Sequence, residues 1–189
     1  MFDLHDLGDE RIRPLNRSEY HRLGELGFFE GERVELLEGL LVSMSPQSAA
    51  HARAIVRLTR ILARALEGRV DLELRPQLPL AASPQSEPEP DFAITAASDD
   101  ESDHPPTALL AIEVSASSLT KDRVVKSRVY AAANVAEYWI IDLAARRIEV
   151  QLDPGGRRYA RQESFGEADT ITSVSTGITV SLRDVFSTK

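Results

Sequence analysis

The strongest constraint on the fold is an almost uninterrupted apolar segment near the middle of the chain. Residues 108–114 read ALLAIEV, and their one charged member is Glu113. A segment this uniformly apolar predicts a central strand, because strands with an exposed face alternate apolar and polar residues. A carboxylate inside such a strand is costly unless another group pairs with it. The sequence therefore predicts a buried partner for Glu113.

The flanking segments predict both helices and strands. Helical spacing of apolar residues predicts a long helix over residues 48–68. A second helix is predicted over residues 120–134, with Thr120 as its N-cap. The dipeptide Glu38-Gly39, between two apolar segments, predicts a tight hairpin turn.

The chain shows no internal repeat, low-complexity segment or interdomain linker that would divide it. Its 189 residues are enough for one domain with a sizeable core. We therefore predict a single α+β domain over residues 1–189, in which residues 1–13 form a flexible N-terminal arm.

The composition is that of a soluble globular protein, with 42% hydrophobic and 28% charged residues. The absence of cysteine excludes disulfides and thiolate metal sites. The acidic N-terminus does not resemble a signal peptide, and no apolar segment approaches the roughly 20 residues of a membrane span. These features predict a cytoplasmic protein that does not associate with membranes.

The charge balance is acidic, with a formal net charge of −8 and an isoelectric point of about 5.1. This balance argues against avid, non-specific duplex binding, which rests on many Lys and Arg contacts to phosphate. A local basic patch is still compatible with it. Four arginines recur every three or four residues and can share one helix face, either as a solvated face, which we favour, or as a binding patch. They are Arg53, Arg57, Arg60 and Arg64.

Two carboxylates have surroundings that suggest a metal site. Asp91 follows Pro90 and opens a short strand, and Glu113 lies near the end of the central strand. If these two strands are neighbours, both carboxylates can converge at one end of the sheet. Paired carboxylates with open water positions suit a hard cation such as Mg²⁺. The alternative is structural, with Asp91 capping a turn and Glu113 at a strand edge.

The helix that follows Glu113 carries polar groups on one face. Asp122, Lys126 and Tyr130 are spaced at i, i+4 and i+8, and apolar residues flank them on the same side. This pattern predicts an inward face with a carboxylate, an ammonium and a phenol. A lysine near two acids can orient or deprotonate a water, or stabilise a charged transition state. A surface pair between Asp122 and Lys126 is the alternative.

Other candidate residues have less support from the sequence. Glu35 lies between apolar neighbours and could supply a third carboxylate, and His51 begins the long helix. Trp139 is predicted to lie in the core. Neither a G-x-S-x-G elbow nor a phosphate-binding glycine loop is present, which argues against serine hydrolase chemistry and nucleotide hydrolysis by the usual loop.

These motifs together resemble the Uma-two family, a bacterial group of restriction-endonuclease-like proteins in the PD-(D/E)xK superfamily. The resemblance covers residues from about 15 to about 152. It rests on the order of VELLEGLLVSMSP, His51, EPDFAI, AIEVSASS and DRVVKSRVYAAANVAEYWIID. The resemblance implies a mixed β-sheet flanked by helices, with an acidic site at one edge of the sheet.

The resemblance also assigns site residues. Asp91 matches the aspartate of the PD motif and Glu113 matches its second acid, and both would hold the metal. Ser115 stands where the superfamily usually has lysine, and Lys126 matches families in which the lysine has moved to the following helix. The family's other acid and its histidine are matched by Glu35 and His51, while Leu40 stands where a glutamate is usual.

The function implied is a nuclease that hydrolyses phosphodiester bonds of nucleic acid with Mg²⁺ or Mn²⁺. DNA is the expected substrate by superfamily analogy. The alternative is a catalytically degenerate module of the same fold that binds protein or nucleic acid, which the acidic charge balance and Leu40 favour. The apolar residues of the segment TITSVSTGITVSL could cover a partner, so a homodimer is also predicted.

Overall fold

The computed structural model describes residues 13–187. The predicted flexible arm lies outside the described residues except for Arg13, whose guanidinium pairs with Glu19. The helices are α1 (Arg17–Glu25), α2 (Ala49–Ala65), α3 (Leu119–Lys121), α4 (Ser127–Ala132) and α5 (Leu182–Phe186), with a π turn (Asp122–Lys126) between α3 and α4. The strands are β1 (Val34–Leu37), β2 (Leu40–Ser43), β3 (Leu72–Pro76), β4 (Phe92–Ala96), β5 (Leu110–Ser115), β6 (Glu137–Asp142), β7 (Arg147–Gly155), β8 (Arg158–Gly166), β9 (Thr170–Thr172) and β10 (Thr179–Ser181).

Six strands form the central sheet in the order β3-β4-β5-β6-β7-β8. The strands β5 and β6 are parallel, and the other neighbouring pairs are antiparallel. All six residues of β5 are buried, as predicted for the segment around Glu113. The prediction of an α+β fold with a mixed sheet flanked by helices is confirmed.

Helices cover both faces of this sheet. On one face, Leu58 of α2 and Val185 of α5 pack with Ile112 and Trp139, which confirms the predicted core position of Trp139. On the other face, Tyr130 of α4 packs with residues of β5 and β6. The central strands are therefore shielded from water on both sides, which explains why their sequences are continuously apolar.

The first two strands form a separate hairpin beside this sheet. Its turn residues, Glu38 and Gly39, have φ angles of 51° and 82°, which is the left-handed geometry of a tight hairpin turn. The predicted turn is therefore confirmed. A bridge between Leu36 and Glu87 and ion pairs from the Glu38 carboxylate to Arg128 and Arg157 fix the hairpin against the rest of the chain.

Gly39 is required by both its backbone angle and its surroundings. A Cβ atom at this position would lie 2.2 Å from the Cβ and 2.8 Å from the Cα of Pro14. We expect Gly39→Ala to lower the free energy of unfolding by at least about 2 kcal/mol, since strain and overlap add. Gly31→Ala is the matched control, because Gly31 has a φ of 85° but no atom within 4 Å of the added Cβ. Urea unfolding should show the larger loss at Gly39, and equal losses would contradict this explanation.

The two long predicted helices differ in how well the structure matches them. The first is confirmed, since α2 starts after Ser48, whose hydroxyl accepts from the His51 amide. The second was predicted to have Thr120 as its N-cap, but its N-cap is Ser118 and its first residue is Leu119. It also contains the π turn, in which the Ser127 amide donates to the Asp122 carbonyl. The Ser118 hydroxyl binds the Asp122 carboxylate and makes no capping hydrogen bond with a backbone amide. The helix therefore begins without the side-chain cap on which the prediction was based.

The C-terminal strands β9 and β10 belong to the core of the chain itself. Ile171, Ile178 and Val180 are buried against the face of the sheet that carries α2. These residues therefore do not form an exposed apolar surface, and the homodimer stays a prediction. Every helix within residues 13–187 is too short or too polar to span a bilayer.

A buried carboxylate anchors this segment to the sheet. Glu137, at the start of β6, is 1% exposed. Its Oε1 accepts from Trp139 Nε1 at 2.7 Å, and its Oε2 accepts from the Ser173 hydroxyl at 2.7 Å. The backbone N and the hydroxyl of Ser175 also donate to Oε2, at 3.1 and 3.0 Å. Neutral donors therefore satisfy Glu137, and its role is structural.

Candidate active site

Glu113 has the buried partners that its strand position predicts. Its side chain points to the face of β5 that packs against α4, and the residue is 5% exposed. Glu113 Oε1 accepts from Lys126 Nζ at 2.7 Å and from the Tyr130 hydroxyl at 2.7 Å. The predicted inward face of the helix is therefore present. The alternative of a surface pair is wrong, because Asp122 and Lys126 are 1% and 2% exposed.

Lys126 links Glu113 to a second buried acid. Its Nζ lies 3.0 Å from Glu35 Oε2 and donates to the backbone carbonyl of Glu89 at 3.3 Å. Glu35 is fully buried on β1, so the hairpin delivers this carboxylate to the site. Lys121 Nζ binds the other oxygen of Glu35 at 2.7 Å. Two glutamates and two lysines therefore form one continuous cluster.

The π turn explains how both lysines reach Glu35. Residues five apart lie on different sides of an α-helix, because one α-helical turn takes 3.6 residues. A π turn closes its hydrogen bond between residues i and i+5, which brings such residues to the same side. The turn over Asp122–Lys126 does this for Lys121 and Lys126. Sequence reasoning missed Lys121 since it assumed a regular α-helix.

Asp91 lies next to Glu113 because β4 and β5 are antiparallel neighbours. Their register pairs Phe92 with Ile112, which places Asp91 opposite Glu113 one step beyond the last pair. Asp91 Oδ2 accepts from the backbone N of Val114 at 2.8 Å. His51 Nε2, on the first turn of α2, lies 3.2 Å from Asp91 Oδ1. The structure thus brings together all five residues predicted from the sequence.

Asp122 shapes the edge of the site. Its Oδ2 accepts from the hydroxyls of Ser115 and Ser118, each at 2.5 Å. Ser115 is the residue for which the resemblance drawn from the sequence implied a lysine. Its hydroxyl therefore fastens the start of the following helix segment to the end of β5, and Lys126 from that segment supplies the ammonium.

The electrostatics of the cluster separate the two buried glutamates. Burial raises the pKa of Glu113 to about 8; Lys126 opposes this shift, whereas Asp122 and Asp91 reinforce it. Burial acts in the same direction on Glu35, but the ammonium groups of Lys126 and Lys121 outweigh it and hold the pKa of Glu35 below its ordinary value. Glu113 is therefore the carboxyl group of the pair that holds a proton near neutral pH.

Burial also opposes the charged form of Lys126, but the carboxylates of Glu113 and Glu35 outweigh it and raise the pKa of the ammonium. The pKa of the Tyr130 phenol is raised well above its ordinary value by burial and by the adjacent Glu113. Both groups therefore stay protonated at neutral pH. Lys126 can act as a positive charge and a hydrogen-bond donor, and Tyr130 as a donor to Glu113.

The cluster opens into a cleft of about 490 Å³. The cleft is bordered by the segment between β2 and α2, by the loop after β5 and by the site residues Asp91, Glu113 and Lys126. A larger hollow of about 1130 Å³ lies elsewhere, beside α1 and β3, and contains none of the five predicted residues. The smaller cleft is the candidate active site, because the charged groups converge there. Within residues 13–187, no three His, Cys, Asp or Glu side chains form a ready-made metal cage.

Comparison with known proteins agrees with this fold. The chain matches the Uma2 family, described as "Putative restriction endonuclease", over residues 17–183. A crystal structure of "a putative nuclease belonging to DUF820" from Anabaena variabilis ATCC 29413 superposes with a TM-score of 0.69 at 15% identity, covering 92% of this chain and 98% of that chain. None of the curated proteins that were compared matches the chain. At 15% identity the structural likeness concerns the fold alone, but the family match spans most of the sequence. This protein therefore belongs to the Uma2 family, as its motifs predicted.

Proposed function

We propose that this protein is a Mg²⁺-dependent nuclease that hydrolyses phosphodiester bonds of DNA. The proposal rests on one observation: a buried lysine, Lys126, lies between two acids and beside the pair of Asp91 and Glu113. Membership of a family described as "Putative restriction endonuclease" supports the same reaction. An acidic pair with an adjacent ammonium suits hydrolysis of a phosphodiester, whose transition state gains negative charge.

Asp91 and Glu113 are the residues that would hold the cation. Their oxygens suit Mg²⁺, which is commonly held by one or two carboxylates and keeps several waters, so a larger protein cage is unnecessary. Burial is the main cause of the raised pKa of Glu113, and the carboxylates of Asp122 and Asp91 add to it; a cation would relieve the repulsion from these carboxylates. The bound cation would act as a Lewis acid on the phosphoryl oxygen.

The other residues have roles that follow from their contacts. Lys126 keeps its proton, so it would stabilise negative charge on the phosphate rather than act as a base. Lys121, whose side chain is 26% exposed, is accessible from the cleft and would contact a phosphate oxygen. Tyr130 and His51 would orient Glu113 and Asp91 through their hydrogen bonds. Glu35 would hold both lysines in place.

The decisive experiment combines metal titration and cleavage. Mg²⁺ and Mn²⁺ would be titrated by calorimetry into the wild type and Asp91→Asn, and both proteins incubated with plasmid and single-stranded DNA. We expect binding and cleavage in the wild type and neither in the variant. Asp184→Asn, an acidic position on α5 outside the cleft, is the control for lost charge. Cleavage that persists in Asp91→Asn would refute the proposed site.

Metal binding should depend on pH in a defined direction. Because the pKa of Glu113 is raised to about 8, a proton must leave this carboxyl before it can bind a cation. We expect the Mg²⁺ affinity to increase as the pH rises through 8, with release of protons on binding. Calorimetry in buffers of different ionisation enthalpy measures both quantities. Glu113→Gln should lose the pH dependence, and a constant wild-type affinity across this range would contradict the assignment.

A second candidate function is a catalytically silent module that binds nucleic acid. The charge balance of the cluster favours it, because Glu35 and Glu113 face Lys121 and Lys126 in equal numbers. Such a module would gain no stability from Mg²⁺. It would also keep or increase its stability in Glu113→Gln, since glutamine is uncharged and has the shape of the protonated carboxyl group. Thermal unfolding with and without Mg²⁺ distinguishes the two functions.

A further inference from the structure

The helix that carries His51 also carries a separated set of positive charges. Within Ala49–Ala65, α2 has four arginines and no acidic residue, although the whole chain has a net charge of −8. We refer to these arginines, Arg53, Arg57, Arg60 and Arg64, as the α2 arginine face. We infer that this face binds the phosphodiester backbone of the nucleic acid beside the bond that is cut, an inference that rests on the proposed nuclease function.

The arginines of this face lack acidic partners. Among residues 13–187, no carboxylate lies within 4.0 Å of their guanidinium groups. Within residues 13–187, eleven of the fourteen arginines outside α2 pair with an acid; for example, Arg17 binds Glu87 and Arg128 binds Glu38. An acidic protein that pairs most of its other arginines and leaves four together on one helix has a local surplus of positive charge. The solvated face expected from the sequence does not explain why acids are missing from α2, whereas phosphate binding does.

A hollow of about 380 Å³ concentrates this charge at the start of the face. Its cationic lining is Arg53, Arg57 and Arg146, and the rest of its lining is apolar. Arg57 Nε donates to the Val185 carbonyl at 2.8 Å, which fixes the orientation of its guanidinium. Burial lowers the pKa of Arg57, and the positive charges of Arg53 and Arg146 lower it further. Arg146 already pairs with Glu167, whereas a phosphate in the hollow would supply the negative charge that Arg53 and Arg57 lack.

The hollow adjoins the active-site cleft. Ser48 borders the cleft, whereas the next two residues of the chain, Ala49 and Ala50, border the hollow. A backbone hydrogen bond also joins the two: the amide of Leu143, which borders the hollow, donates at 3.1 Å to the carbonyl of Ser115, whose chain neighbours Val114 and Ala116 line the cleft. A strand bound in the cleft can therefore continue into the hollow without leaving the surface.

The length of the face suits several phosphates of one strand. The eleven-residue interval from Arg53 to Arg64 is about 16 Å along the helix axis at 1.5 Å per residue. One strand of a duplex carries a phosphate about every 3.4 Å of its axis, so roughly five phosphates match this length. The negative net charge of the chain is compatible with binding of phosphates along α2. Acidic residues elsewhere on the protein would repel the nucleic acid and so restrict its backbone to the α2 arginine face.

The test measures binding separately from cleavage. A labelled short duplex and its single strand would be titrated without Mg²⁺ over a series of salt concentrations. We expect Arg53→Gln/Arg57→Gln to bind duplex more weakly and to reduce the slope of log K against log salt by about 1.8, which corresponds to two lost phosphate contacts. Arg158→Gln/Arg161→Gln, which removes two exposed arginines from β8, is the matched control and should leave the slope unchanged.

Arg57 makes a structural hydrogen bond to the Val185 carbonyl, so a second variant that keeps Arg57 is also tested. Arg53→Gln/Arg60→Gln changes two exposed arginines and should reduce the slope by the same amount. The inference is overturned if both α2 variants bind like the wild type, if the β8 control is weakened equally, or if the wild type binds neither nucleic acid. Cleavage is assayed in parallel with Mg²⁺ and tests the nuclease proposal separately. Binding through the α2 arginine face without cleavage would refute the nuclease and leave only the phosphate binding by this face.

Discussion

Replacing Lys126 with methionine is expected to lower the free energy of unfolding by about 3–5 kcal/mol. The ammonium is 2% exposed and lies between Glu113 and Glu35, which are also buried. Methionine has a similar length, so the main losses are the positive charge beside the buried Glu35 carboxylate and the hydrogen bond to Glu113. Urea unfolding monitored by circular dichroism measures the change. Lys121→Met is the control, because its side chain is 26% exposed and it contacts one of the two acids.

The loss should increase with pH. The pKa of Glu113 is raised above its unfolded value to about 8, so the stabilisation from its proton is complete below about pH 4.5 and is lost as the pH rises through 8. Lys126 opposes that shift, and without it the pKa of Glu113 moves higher still. The variant therefore continues to lose stability above pH 8, and the difference from the wild type should be larger at about pH 9 than at about pH 6.

A double variant tests whether the charge itself is responsible. Adding Glu113→Gln to Lys126→Met removes one of the uncompensated acids and should recover part of the lost stability. If the stability losses of Lys126→Met and Glu113→Gln simply add in the double variant, packing of the lysine side chain, rather than charge compensation, accounts for the effect. A loss below about 1 kcal/mol in Lys126→Met alone would contradict the buried pairing.

Replacing Glu137 with alanine should also destabilise the protein by about 3–5 kcal/mol. The change leaves the Trp139 indole and the Ser173 and Ser175 groups buried without their acceptor, and each orphaned donor costs about 1–3 kcal/mol before the site relaxes. Thermal and urea unfolding measure the loss. Metal binding at the cleft should be unchanged, because Glu137 does not border it.

Two further variants separate the causes of that loss. Glu137→Gln keeps one acceptor oxygen, so only the donors to the other oxygen lose their partner. It should therefore cost less stability than Glu137→Ala. Glu163→Ala, on the exposed side of β8, is the control and should change stability little. A Glu137→Ala protein as stable as the control would show that the hydrogen bonds in this network contribute nothing net.

The parts of the fold that the sequence predicted are those determined by neighbouring residues. The turn at Glu38 and Gly39 needs positive φ angles, and the start of α2 needs the Ser48 cap, so both can be recognised from short segments. The continuous apolar segment around Glu113 predicted a buried strand, which is also a property of a short segment. The inward face with Lys126 followed from helical spacing, even though the helix contains a π turn.

The parts that could not be predicted depend on contacts between distant segments. Lys121 binds Glu35, which is 86 residues away, and this contact requires both the π turn and the docked hairpin. Glu137 and Glu113 are both acids in apolar strands, yet the first is satisfied by neutral groups from a segment 36 and 38 residues away. No local pattern distinguishes the structural glutamate from the one in the cleft, because the difference lies in what the tertiary fold places beside them.

The separate hairpin links the conformation of the protein to the charge of its cleft. Glu35 is on β1, which belongs to its own two-stranded sheet, whereas Asp91 and Glu113 are held by the six-stranded sheet. Opening of the hairpin would break its contacts with Glu87, Arg128 and Arg157 but leave the six-stranded sheet in place, so it would cost less than global unfolding. In the open form, Lys121 and Lys126 lose one carboxylate and the cleft becomes more positive by one charge. A bound anion therefore favours the open hairpin and a bound cation favours the closed one, so the hairpin equilibrium and ligand binding are thermodynamically coupled.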